Sequence, residues 1–193
     1  MISDDSRRVF FSSKGPATSH FYDLAKRSLL AAELQIGRVW GRRPMSIDYA
    51  EQAQAFQLIL IDLHFFFISI RNLYRYLEKV VADPTYAHLK PQLDLLNAQW
   101  FKHYSSGREA FEHIDQRLPG EKYENKIIEI EVSGARRKIH FGLDLSKGIF
   151  AHSDREWDIS LTTSAKLKSD VDMFLIAIVQ ASNHTLNTDP PLS

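Results

Sequence analysis

The chain contains no cysteine, which excludes disulfides, thiolate metal sites and cysteine nucleophiles and fits an expected cytoplasmic location. Nor does it carry an excess of either charge. Its 24 Lys and Arg balance 24 Asp and Glu, so no global positive field draws in nucleic acid. A polyanion site would have to be a local patch. The doublets Arg7-Arg8, Arg42-Arg43 and Arg136-Arg137 offer that, although the default for each is a solvated pair. No glycine-rich phosphate loop of the G-x-x-x-x-G-K or G-x-G-x-x-G type occurs, which argues against P-loop nucleotide hydrolysis and dinucleotide binding. The G-x-S-x-G nucleophile turn and the H-E-x-x-H zinc pattern are also absent.

Long hydrophobic runs are missing too. The most apolar stretch, Leu58 to Ile70, covers about 13 residues and includes Asp62, His64 and Ser69, against the roughly 20 apolar residues of a membrane span. A buried helix is expected there, and no membrane partner. Met1 to Gly15 is polar and charged, without the apolar core of a signal peptide.

What is present is an ordinary globular composition, 44% apolar and 25% charged over 193 residues, enough for one domain around one core. Thr18 or Ser19 can cap a first helix running to about Trp40, which Gly41-Arg42-Arg43-Pro44 ends. A second helix is expected from about Asp48 to Ala82. It is apolar on nearly every side between Phe56 and Ile70, as suits a central helix or one covered by another subunit. From Pro91, apolar residues at Leu93, Leu96, Trp100, Tyr104, the small Gly107, Phe111, Ile114 and Leu118 keep helical phase. One long helix to Leu118 follows, with a possible kink at Ser105-Ser106-Gly107. After the stop at Pro119-Gly120 the period changes. Ile127 to Val132 and Arg137 to Phe141 flank Ser133-Gly134 as a β-hairpin, with further short strands near Ile149–Ala151 and Trp157–Ile159. A last helix spans about Thr162 to Asn187. The expected fold is therefore mainly α: an antiparallel bundle of long helices (17–118 and 162–187), a strand-rich insertion (123–160) before the last helix, and loose termini (1–16 and 188–193).

Chemistry concentrates in Gly107 to Leu118, which holds Arg108, Glu109, Glu112, His113, Asp115 and Arg117. On the helical wheel Arg108, Glu112 and Asp115 flank the apolar stripe, whereas Glu109 and His113 lie away from it. Arg108 and Glu112, four apart, can simply pair. Arg108 and His113, five apart, point about 140° from each other, so one helix does not converge them. In the second helix His64, Arg71 and Arg75 share a face, with Asn72 beside Arg71. The plain expectation is a hydrogen-bonded core histidine and two arginines paired with Glu112 and Asp115 from an antiparallel neighbour. The functional alternative is a positive groove formed with Arg108, or a small-ligand pocket beside the His64–Arg71 row. The crowded acidic residues and His113 lack the Glu-x-x-His spacing of di-metal bundles, so no metal and no cofactor is expected.

Arg108-x-x-x-x-His113, in a long helix of a small helical protein, resembles the R-x(4–6)-H motif of HEPN domains. The run Arg108 to Leu118 is also similar to a stretch in small bacterial proteins of HEPN-like type. Where many HEPN nucleases have Asn, Asp or His after the arginine, this chain has Glu109. The resemblance covers the helices from about Asp48 to Leu118 and leaves out the strand-rich segment. It implies a metal-independent endoribonuclease of bacterial defence or toxin–antitoxin type. That enzyme would act as a homodimer with paired motifs lining a cleft, with RNA as substrate and an antitoxin as a further partner. Arg108 and His113 would be catalytic, supported by Glu109, Glu112, Asp115, Arg71, Asn72 and His64. A histidine titrates near neutral pH and can move a proton, and an arginine grips phosphate through paired hydrogen bonds. The rival expectation is a non-catalytic helical module for dimerisation or partner binding, with Arg108, Glu112 and Asp115 as an ion-pair network.

Overall fold

A computed structural model of the chain describes residues 16–42, 49–112, 128–132, 135–139, 141–152 and 155–188. Three long helices, α1 (Pro16–Gly41), α2 (Tyr49–Val81) and α5 (Leu161–Thr188), join a composite helix to form the framework. That composite runs from a 3₁₀ turn (Ala87–Leu89) through α3 (Lys90–Leu96) and a π turn (Asn97–Phe101) into α4 (Lys102–Glu112). Strands β1 (Ile128–Val132) and β2 (Ala135–Ile139) form an antiparallel hairpin with Ile128 opposite Ile139. A second antiparallel sheet, in the order β3 (Phe141–Asp144), β4 (Ile149–His152), β5 (Arg155–Asp158), precedes α5. The mainly α architecture with a small sheet before the last helix is thus the one expected from the sequence. The Pro119-Gly120 stop, the Ser133-Gly134 turn and residues 1–15 and 189–193 lie outside the described residues.

Helix α1 starts earlier than Thr18, with Pro16 at its first position, where the missing N–H costs nothing. Thr18 does not cap it. Its hydroxyl donates to the Asp83 carboxylate (2.8 Å), tying the start of α1 to the end of α2. Burial would raise the Asp83 carboxyl, but the Thr85 amide and the Thr18 hydroxyl hold it below the usual value. At the other end of α1, Arg42 Nη1 reaches Asp62 Oδ2 at 2.5 Å. Asp62 is 4% exposed, so this arginine is a structural counter-ion and not a solvated charge.

Helix α2 supplies the centre of the core, with Leu63, Phe66, Phe67, Ile70, Leu73 and Leu77 all buried. By length and composition Ala50–Val81 can cross a membrane: its most apolar 18-residue window has a mean hydropathy of 1.6, with 33% of it buried. The flanks of Leu58–Ile70 are mixed, with Gln52, Gln54, Gln57 and Arg71, so that short run carries the hydropathy of the window. The Arg42–Asp62 pair and the core contacts occupy that same stretch.

The composite helix keeps the predicted stripe: Leu93, Leu96, Trp100, Tyr104, Gly107 and Phe111 are all buried. Its irregularity is a π turn at Asn97–Phe101 and not a kink at Ser105-Ser106-Gly107. Trp100 and Phe101 lie in that turn and are both buried. At Gly107 an added Cβ would lie 2.5 Å from the Phe67 ring. The absence of a side chain is what allows α4 to approach α2 here.

The second sheet is fastened to the helices through aromatic donors. Trp157 Nε1 donates to the His103 carbonyl (3.0 Å), Trp40 Nε1 to the Ile159 carbonyl (2.8 Å), and the Tyr104 hydroxyl to the Asp158 carbonyl. Phe150, Trp157 and Ile159 belong to the same hydrophobic core as the helices. Burial, with the Asp158 charge added, pushes the Tyr104 hydroxyl well above its ordinary range. Gly148, at φ 70°, turns β3 into β4, and a Cβ there would meet Ser160 at 2.8 Å.

Ser160 caps α5. Its Oγ accepts the Thr163 N–H (3.2 Å), while Asp158 accepts the Ser160 N–H (2.8 Å) and the Thr163 hydroxyl (2.7 Å). Burial would raise the Asp158 carboxyl, but those donors hold it low. Ser160→Ala is expected to cost about 1 kcal/mol in urea unfolding. A loss below about 0.3 kcal/mol would mean that Asp158 alone terminates the helix.

Candidate functional site around the end of α4

Arg108 sits on the last described turns of α4, half-buried, with the exposed Glu109 beside it. This matches the wheel, which puts Arg108 at the edge of the apolar stripe and Glu109 outside it. Phe111, one turn on from Arg108, is buried. Glu112 is the last residue of α4. His113 and Asp115 lie outside the described residues, as does His140.

The structure brings His64 of α2 to this end of α4. Its imidazole stacks on Phe111 with centroids 5.2 Å apart and planes 13° apart. His64 is half-buried as a residue, with its Nε2 enclosed. Phe111 in turn stacks on Phe150 (5.1 Å), and Phe150 on Trp157 (5.6 Å). Trp157 lies 6.1 Å from the exposed His103. A continuous row of rings thus joins α2, α4 and the second sheet, with an imidazole at each end. No sequence spacing signals this row, because its members come from four separate elements.

Helices α2 and α4 run antiparallel. Tyr74 stands beside Phe101 and His64 beside Phe111. On that register Glu112 lies level with the His64 end of α2. Arg71, seven residues on, is roughly 10 Å farther along the helix, and Arg75 farther still. Arg71 and Asn72 are half-buried and Arg75 is exposed. On the same register Arg108 comes level with Phe67, between His64 and Arg71 along α2.

Among the described residues no group of three or more His, Asp or Glu gathers to hold a metal. A pocket of about 290 Å³ opens between α3 and α5, lined by Gln92, Leu95, Gln99, Lys166, Asp170 and Met173 among others, and touches neither His64 nor Arg71. Its Asp170 carboxylate already accepts Trp100 Nε1 (2.9 Å) and Gln99 Nε2 (3.2 Å).

The other feature near the α4 end is apolar. Leu58, Ile61 and Phe65 on α2 are 38%, 50% and 49% exposed, and Phe65 adjoins His64. Steps of three and four put them in one row on the helix. No protein-family model, curated protein or solved structure matches the chain.

Proposed function

We propose that the protein is a helical module that works as a homodimer, associating through α2, with the Arg108 turn of α4 at the margin of the contact. The observation that carries this is the row Leu58, Ile61 and Phe65, large apolar side chains left in water by a helix whose opposite face fills the core. Single exposed apolar residues are ordinary, but a row of them on one helix face marks a contact surface. Light scattering over a dilution series is expected to give twice the chain mass at micromolar concentration. A monomer throughout removes the reading.

A second reading is favoured by the stacking of His64 on Phe111. It sets an imidazole near the turn that bears Arg108, a residue type that grips phosphate through paired hydrogen bonds. In this reading the protein is a HEPN-like, metal-independent endoribonuclease. Arg108 holds the phosphate and His113 moves the proton of the 2′-hydroxyl. The facing subunit completes each cleft and so offsets the 140° divergence expected between the two side chains. Neutral net charge favours the first reading, since an RNA enzyme gains from a positive field.

A further inference from the structure

We infer that two copies of the chain associate through an antiparallel seam of α2 against α2, with the two-fold axis level with residue 63. This rests on the homodimer reading and supplies its geometry. The exposed row extends beyond the three apolar residues in both directions. Positions 51, 54, 58, 61, 65, 68, 72 and 75 follow alternating steps of three and four, the a/d spacing of a coiled coil. Glu51, Gln54 and Arg75 are exposed, and Ile68 and Asn72 are half-buried at its edge.

Read against its own reverse, this row is complementary. In an antiparallel pair centred on residue 63, each position faces the one whose number brings the sum to 126. Ile61 then faces Phe65 of the second copy, and Leu58 faces Ile68. Farther out, Gln54 meets Asn72 and Glu51 meets Arg75. Apolar residues meet apolar ones at the centre, amides meet amides, and at each end a carboxylate meets a guanidinium. A parallel pairing would set Glu51 against Glu51 and Arg75 against Arg75, like charges at both ends. The seam runs about 36 Å, and every pair occurs twice by symmetry. Charge order along the row thus selects both the partner, a second copy, and its direction.

The opposite helix of the hairpin provides a control. Leu30 and Leu34 on α1 are 55% and 54% exposed, as open as Ile61 and Phe65, yet they are not members of this row. Sedimentation equilibrium on the full chain, with circular dichroism to verify helicity, tests the assignment. Ile61→Glu removes both central contacts and sets two carboxylates in the seam, so the dissociation constant is expected to rise at least about a hundredfold. Glu51→Arg alone places like charges at both ends and should weaken the dimer roughly three- to tenfold. Adding Arg75→Glu to Glu51→Arg reverses both end pairs and should return the affinity to within about twofold of the parent. Leu30→Glu with Leu34→Glu should change nothing. A dimer that survives Ile61→Glu, that the charge swap fails to restore, or that the α1 double variant disrupts overturns this seam and leaves self-association standing. A parent chain that is monomeric at every concentration removes both. Because Ile61 and Glu51 are exposed in the single chain, folded monomers are expected where the dimer is lost, and retained helicity identifies them.

Discussion

Trp157→Ala is expected to destabilise the protein by about 3–5 kcal/mol in chemical denaturation. Trp157 is fully buried. Its ring stacks on Phe150 at 5.6 Å and meets Phe67 edge-on at 5.7 Å. Removing the indole opens a cavity where the sheet meets α2 and α4, and the surrounding rings are held by other contacts and cannot collapse far. Its N–H also donates to the His103 carbonyl, which accepts the Ser106 hydroxyl as well (2.6 Å). That carbonyl is therefore not stranded when the indole goes, so packing accounts for most of the loss. Trp157→Phe, which keeps much of the volume and loses the donor, should cost clearly less than Trp157→Ala. The order parent, Phe, Ala is the signature of a packing role. A Trp157→Ala loss under about 1 kcal/mol would mean that the sheet is peripheral to the core and that the ring row from His64 to His103 holds nothing together.

Periodicity and terminators made the long helices legible. Apolar residues in helical phase place α2 within a residue or so of its observed bounds, and α5 likewise. Two departures have local causes. The π turn leaves no mark on the apolar stripe, which stays in phase through Trp100 and Tyr104. Arg137 to Phe141 reads as one strand, yet β2 ends at Ile139 and β3 begins at Phe141 in a different sheet. Alternation of side chains cannot reveal where a chain leaves one ladder for another.

The site was legible only within single helices. The exposure of Glu109 and the half-burial of Arg108 follow from the wheel. The antiparallel run of α2 and α4 was anticipated as well, but not its register, which depends on Gly107 admitting Phe67. That one contact sets the turn bearing Arg108 level with Phe67, between His64 and Arg71 along α2. Similarly, the apolar surplus of α2 pointed to a second subunit, while the complementary order of Glu51 to Arg75 emerges once the exposed face is known.

His113→Ala carries the largest expected effect on activity, under the RNA-cleaving reading. Removal of one general acid–base group lowers a rate by about 10²–10⁴. Cleavage measured in EDTA should fall by that amount, and it should do so without unfolding. On the helical wheel His113 falls away from the apolar stripe, so its loss is expected to remove no large packing contact. Arg108→Ala is a less selective probe, since it also strips the aliphatic stem of a half-buried side chain from the edge of the core. His64→Ala supplies the comparison among imidazoles. Its ring stacks on Phe111, so a loss of stability accompanies any loss of rate, whereas His113→Ala should lower rate alone. Products should end in 2′,3′-cyclic phosphate, because attack by the 2′-hydroxyl on the adjacent phosphorus expels the 5′-oxygen and closes that ring. Cleavage undiminished in His113→Ala would sink the assignment of that residue. A parent chain that cleaves no RNA, yet loses self-association in Ile61→Glu, would leave the dimeric interaction module as the function.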